Sequence, residues 1–401
     1  MTLDAAQQIK RFNAGREPER LQLKYTAMRA SPFAFLRGSC HLFYARMARG
    51  GVHKASPTGW ICGDLHIENF GSYQGDNGLV YFDINDFDES ALAPLTWDLV
   101  RLLASVQVGA ATLKVSDGNA RHLCATLIEA YAESLALGKA YWVERDTAKG
   151  LIRDLLDELR DRPMAAFIDR RTRRKGRRLV VATDTGKALP LLPKQRDRVD
   201  AFMRNFARTQ PDPRFFEVLD VARRIAGTGS LGVERYVILV RGDGAPDKCL
   251  LLDLKVSAAS SLAPRLKVVQ PRFASQAERI VATQRRLQAV PMDFLHALPF
   301  GDGSAVLRGL QPSEDRVEVG HAGGDLKALS QFVATLGRVV AWGHLRSAGQ
   351  LGAAGPDELI AFGRRVKWRD PLLAAARECA EQAQADSAAF NHAFDTGAFE
   401  P

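Results

Sequence analysis

Residues 63–69 read Gly63-Asp64-Leu65-His66-Ile67-Glu68-Asn69, residues 83–88 read Asp83-Ile84-Asn85-Asp86-Phe87-Asp88, and Trp97-Asp98-Leu99 follows. The first group comes directly after the apolar run Trp60-Ile61-Cys62, which suits a strand. The second closes Leu79-Val-Tyr-Phe-Asp83, rich in β formers and led in by the turn Gly75-Asp-Asn-Gly78. Either group alone is what a capped surface turn looks like. Together, acidic loops tied to apolar strands are placed to converge at one rim, where unpaired carboxylates repel unless a metal or a proton joins them. Phosphoryl transfer needs such a set: one carboxylate orients the attacking hydroxyl and takes its proton, while an Asn and a second Asp hold the Mg2+ ions that neutralise a triphosphate. Asp64, Asn69 and Asp86 fit these roles, with Asp88 as a further metal candidate.

A second pattern lies far downstream. Gly227-Thr-Gly229-Ser230-Leu-Gly232 is a G-x-G-x-x-G followed by the strand-like Val233-Glu-Arg-Tyr-Val-Ile-Leu-Val240. A dinucleotide loop must open a helix and a Walker loop must end in Gly-Lys-Ser/Thr, so both are disfavoured. A glycine loop between two antiparallel strands is the arrangement in which backbone N–H groups cover nucleotide phosphates. The next expected part is a lysine on a third strand, and Leu250-Leu-Leu-Asp-Leu-Lys255 supplies Lys255, whose other reading is an edge-strand lysine in water. Glu278, on the helix expected over 275–290, is the candidate partner for that lysine.

The run Gly63–Asp98 resembles the catalytic segment of aminoglycoside phosphotransferases and choline-kinase-like enzymes of the protein-kinase-like superfamily, with its H-G-D-x-H-x-x-N, I-D-F-x-D and following D-L-A patterns. The resemblance implies Asp64 as catalytic base, Asn69 and Asp86 as metal ligands, and His66 at the position of a residue that contacts phosphate or braces the loop. It implies a structural role for Asp98, and makes Asp83 the weaker metal alternative, three residues early. Cys62 departs from the pattern, standing where the family has His. The order is inverted relative to ordinary kinases, since the catalytic motifs precede the glycine loop and lysine, and a circular permutation accounts for that. It predicts that Leu329–His344, similar to the helix that normally leads into the catalytic loop, packs beside the early motifs. The whole chain also resembles a bacterial family catalogued as domain of unknown function 2252.

The expected fold is therefore α+β: a bilobal, circularly permuted protein-kinase-like fold with a small antiparallel-sheet nucleotide lobe and a larger, mostly helical catalytic lobe. Residues 1–195 form the catalytic lobe with a basic insertion, 196–324 the sheet lobe, and 325–401 helices that return to the first. A length of 401 residues agrees with two or three lobes at roughly 100–200 residues each.

Composition narrows the alternatives. At 46% hydrophobic and 25% charged the chain is an ordinary globular one. No apolar run reaches the about 18 residues of a membrane span and the N terminus lacks a secretory apolar core, so a cytoplasmic protein with no membrane partner is expected. Five scattered cysteines without a C-x-x-C argue against disulfides and zinc. The net charge of +9 is localised: the arginines and lysine of 170–178 supply most of it, leaving about +2 elsewhere. With no interleaved aromatics the cluster lacks a stacking platform, which disfavours nucleic acid as a partner and favours a solvated or substrate-steering face. Among the strand signals, Arg178–Leu192 reads as a hairpin turning at Asp184-Thr-Gly186. The expected activity is ATP- and Mg2+-dependent phosphoryl transfer to an unidentified small-molecule or protein acceptor. AMP transfer, and a nucleotide-binding regulatory module without catalysis, are the alternatives.

Overall fold

The computed structural model describes residues 4–47, 56–244 and 248–399. In the N-terminal region the sequence predicts helices broken at Arg29-Ala-Ser-Pro32 and at Gly50-Gly51; the second break lies outside the described residues, and at the first one helix ends at Arg29 and the next starts at Pro32, behind the N-cap Ser31, whose hydroxyl accepts from Ala34 N.

Helix Thr96–Val108 is the axis of the helical part. Nearly every residue on it is buried, so it must be covered on all sides. Helix Arg369–Asp395 packs along it, and Asp117–Leu137 packs on it from another side. Leu326–Arg346 lies against Asp117–Leu137 so closely that a side chain at Gly337 would collide with the carbonyl of Leu127. Its C-terminal end reaches the early motifs: Arg346 Nη2 is 3.2 Å from Asp83 Oδ2 across 263 residues, and His344 Nε2 is 4.0 Å from Asp98 Oδ2. The neighbourhood expected for this helix is therefore present. Two short antiparallel pairs, Thr58–Ile61 with Ala91–Pro94 and Phe70–Gln74 with Val80–Ile84, carry the acidic loops.

The second part is a six-stranded antiparallel sheet in the order Leu295–Phe300, Gly303–Leu310, Lys248–Val256, Arg235–Gly244, Val218–Arg224, Ala188–Leu189. Along Lys248–Val256 the pleat alternates. Leu252 and Leu254 join Val199, Met203 and Phe206 of helix Pro193–Ala207, while Leu251 joins Phe167 and Ile168 on the opposite face. Asp253 and Lys255 continue that opposite face. Fully buried Asp253 gathers Arg235 (Nε to Oδ1, 2.7 Å), Arg308 (3.2 Å) and Arg224. The molecule is α+β, and among the described residues no helix is long and apolar enough to cross a membrane.

One expected pairing is corrected. The hairpin is Thr172–Lys175 with Arg178–Val181, closed by a two-residue turn at Gly176 with φ 62°, whereas Ala188–Leu189 pairs with Val218–Arg224. Gly186 also turns, at φ 70°, but its flanks go to different strands. The tighter two-residue loop at Gly176-Arg177 brings Lys175 opposite Arg178 directly.

Candidate active site

Asp64 sits on the loop after strand Thr58–Ile61. That loop is held from behind by Asp98, which accepts hydrogen bonds from Cys62 N (2.9 Å) and Gly63 N (3.0 Å), and by Tyr44 Oη donating to Gly63 O. Gly63 has φ 92° and lies against the backbone of Glu89, so no side chain fits there. Cys62 is fully buried, and burial with Asp98 beside it pushes its thiol well up; it packs and does not face the cleft. Arg101, from the central helix, donates to Asp64 Oδ1 twice, from Nε at 3.0 Å and Nη2 at 2.6 Å. Oδ2 is left toward the glycine loop.

Asn69 donates through its side-chain amide to the carbonyls of Asp64 (3.0 Å) and Asp86 (3.4 Å). Two carbonyl acceptors require the NH2 on that side, which turns Oδ1 away as a free oxygen ligand. Asp86 opens on the same cleft, its Oδ1 accepting from Asp88 N at 3.2 Å. Enclosure by the cleft walls pushes Asp86 up, but the Lys255 ammonium and the Asp88 amide outweigh it and hold the carboxyl below its usual range. Asp88, ion-paired with Lys255, is instead raised by desolvation and by Asp86. Asp83 is committed elsewhere: Ile84 N, Ala289 N and Arg346 take its oxygens, and it does not line the cleft.

His66 lines the cleft, yet its Nδ1 accepts from Glu68 N at 3.2 Å, and burial with Arg37, Arg101 and Arg316 holds it well below the usual histidine range. A neutral, backbone-bonded imidazole braces the loop and supplies no cation for phosphate. Glu68 beside it pairs with Arg37 and with Arg316 (2.7 Å).

The glycine loop joins the adjacent antiparallel strands Val218–Arg224 and Arg235–Gly244, as its flanks predict. Gly227 and Gly232 have φ 69° and 86°. Gly229 stands so close to helix Pro32–Gly38 and the Asp64 loop that a Cβ there would be 3.2 Å from Arg37 O and 3.9 Å from Asp64 Oδ2. Asp64, His66, Asn69, Asp86, Asp88, Gly227, Gly229, Ser230 and Gly232 thus line one cleft of about 1010 Å³, and Lys255 reaches its wall through Asp88.

Glu278 does not join them. It lies three residues after the N-cap Ser275 and accepts from Ala274 N at 2.7 Å, satisfying its own helix end, while the carboxylate that meets Lys255 is Asp88. The same helix reaches the loop of Asp86 and Asp88 through Arg279, which donates to Asp88 O (2.8 Å), Ser90 O (2.6 Å), Ser90 Oγ (2.9 Å) and Ala258 O (3.1 Å).

Several lining groups carry no motif. Arg37 lines the cleft from helix Pro32–Gly38; Arg16 comes from the connection between the first two helices and Lys24 from helix Pro18–Arg29; Glu89 is a half-buried carboxylate held by Ser261 N and Oγ. For Arg101 a signal existed, an arginine inside a helix apolar on every side, which must find a buried partner.

Among the described residues no group of three or more His, Cys, Asp or Glu is arranged to hold a metal ion. A Mg2+ bound through one carboxylate, one amide oxygen and phosphate oxygens needs no such group. Asp86 held ionised and Asn69 with its oxygen free are the two donors that fit it.

No curated protein and no solved structure matches the chain. A family model described as an uncharacterized protein conserved in bacteria does match, over residues 16–393, so that the sheet, the acidic loops and the returning helices all fall inside the match, and the chain belongs to that family, DUF2252.

Proposed function

We propose that the protein is an ATP-dependent phosphotransferase of protein-kinase-like, circularly permuted architecture, acting on an unidentified small-molecule or protein acceptor. The observation that carries this reading is the approach of Gly229 to Asp64 Oδ2, which puts a phosphate-covering loop over a carboxylate able to receive the acceptor hydroxyl's proton. Asp64 is the base and Arg101 fixes its orientation. Asn69 and Asp86 would hold Mg2+, which when bound supplies charge neutralisation on the phosphates. The glycine loop covers the phosphates and Lys255 exchanges Asp88 for phosphate oxygens. His66 and Asp98 keep the catalytic loop in shape.

A second reading, a nucleotide-binding module without turnover, draws on the two hydrogen bonds from Arg101 to Asp64, which engage one oxygen of the carboxylate that would take the acceptor's proton. One experiment separates them. Mg2+-dependent binding of ATP is measured for wild type, Asp86→Asn and Asp64→Asn, and then transfer of labelled phosphate to protein or to a panel of hydroxyl compounds. The enzyme reading expects binding lost with Asp86→Asn, and binding kept but transfer lost with Asp64→Asn. Saturable binding with no transfer by wild type under any acceptor supports the module; mass gain of AMP on the acceptor marks the other group transfer.

A further inference from the structure

Among the cleft-lining cations that the proposed mechanism does not use, two hold the glycine loop. Arg16, between the first two helices, donates from Nη1 to Gly229 O and Leu231 O, each at 3.1 Å. Lys24, on helix Pro18–Arg29, is fully buried and donates from Nζ to Asn13 Oδ1 and to the same Gly229 O, each at 3.1 Å. Among the described residues neither has a carboxylate within ion-pair distance. The acids around them are engaged: Asp64 by Arg101, Asp88 by Lys255, Glu68 by Arg37 and Glu89 by Ser261.

An unpaired buried ammonium is costly, and replacing it by an apolar side chain of similar size is often neutral or stabilising. Burial and Arg16 beside it push Lys24 well below the usual lysine range, so an anionic oxygen at that position would restore its charge. An ammonium has three donors and the fold occupies two. The occupied ones tie it to Gly229, the residue whose Cβ position is 3.9 Å from Asp64 Oδ2. In-line transfer requires the terminal phosphoryl group between base and loop, with charge spread over its equatorial oxygens.

We infer that Lys24 is a ligand of the nucleotide's terminal phosphate, its free donor aimed at the transferring group, while Arg16 fixes the loop tip by holding two of its carbonyls. This rests on the phosphotransferase reading and adds a cation from outside the sheet lobe. Lys255, paired with the metal-loop carboxylate Asp88, serves the inner phosphates, so the two lysines divide the triphosphate between them.

The test is equilibrium binding of ADP and of the β,γ-imido analogue of ATP, each with Mg2+, to the full chain. The variants are Lys24→Met, Lys24→Gln and Lys255→Met, each with a thermal melt. Lys24→Met replaces a desolvated buried amine that has no carboxylate partner with an apolar side chain of similar length, so it is expected to melt no lower than wild type. Lys24→Gln keeps a donor for Gly229 O and serves if the first does not fold. Either is expected to weaken the analogue by about tenfold and ADP by less than about twofold, as loss of one charge-assisted bond to the terminal phosphate requires. Lys255→Met is expected to weaken both. An unchanged ratio of analogue to ADP affinity in the folded Lys24 variants overturns the assignment while leaving the phosphotransferase reading intact. Wild type that binds neither nucleotide overturns both.

Discussion

Arg101 donates twice to one oxygen of Asp64, at 3.0 and 2.6 Å, and leaves the other facing the glycine loop. The guanidinium is fully buried, lies 4.7 Å from the ring centre of Phe43, and donates also to Leu36 O. It ties the Asp64 loop to helices Pro32–Gly38 and Cys40–Met47 at once. Arg101→Met is therefore expected to lower unfolding free energy by about 3 kcal/mol, because a partly enclosed carboxylate loses its partner. Adding Asp64→Asn is expected to recover part of that loss. Urea denaturation of the single and double variants checks this, and strictly additive effects would show that the pair is not coupled.

Helix Gln276–Leu287 turns Glu278 back on its own N terminus and sends Arg279 into the loop of Asp86 and Asp88. Glu278→Ala removes a cap contact and is expected to cost about 1 kcal/mol or less with nucleotide affinity unchanged. Arg279→Ala strips the donor from three carbonyls and a hydroxyl around Asp88 and Ser90, and is expected to weaken Mg2+-dependent nucleotide binding by more than about tenfold. Equal effects of the two substitutions on affinity would return Glu278 to the site.

The contrast between neighbours 278 and 279 marks what sequence alone reveals. That Asp64, Asn69, Asp86 and the glycine loop line one cleft is legible because spacing along a single loop next to a strand decides where they sit. Lys255 is legible because a strand places it by alternation. Glu278 is misread because Ser275-x-x-Glu278 is equally a local capping pattern, and local satisfaction prevails over a distant lysine already paired with Asp88. Lys24 and Arg16 leave no trace in the pattern, since the short helix bearing Lys24 and the connection bearing Arg16 acquire their meaning only where they touch Gly229, 205 residues away for Lys24. The basic hairpin is mispaired for a related reason: Gly176 and Gly186 both signal turns, and long-range pairing of Ala188–Leu189 decides between them.

Arg173, Arg174, Lys175, Arg177 and Arg178 stand on the exposed hairpin, and Arg173 finds Asp184 at 3.3 Å. Exposed ion pairs contribute little, so replacing Arg174, Lys175, Arg177 and Arg178 by Ser is expected to change unfolding free energy by less than about 0.5 kcal/mol and leave nucleotide affinity as it is. If the hairpin instead steers an anionic acceptor, transfer by wild type falls steeply with salt and the variant loses that dependence. Calorimetry and a salt series read the two separately.

Glu89 supplies a pH signature of the cleft. Burial, with the nearby Asp64 and Asp88 charges, raises its carboxyl from 4.5 to about 6, against the lowering effect of the Ser261 amide and hydroxyl. A raised carboxyl favours the protonated form in the folded state. Its contribution to stability is therefore fully present below about pH 4.5 and is lost as pH rises through about 6. Glu89→Gln mimics the protonated form and keeps an oxygen for Ser261 N, 2.6 Å from Oε2 in the native chain. The difference in unfolding free energy, wild type minus variant, is expected to be flat below about pH 4.5, to fall by about 1–2 kcal/mol up to about pH 6.5, and to be flat again above. Asp86 and Asp88 titrate in both proteins, so their effects largely cancel in that difference. Urea melts across pH 4–8 provide it, and a difference constant over the whole range would mean that Glu89 carries an ordinary carboxyl, with no desolvation where the metal loop meets Ser261.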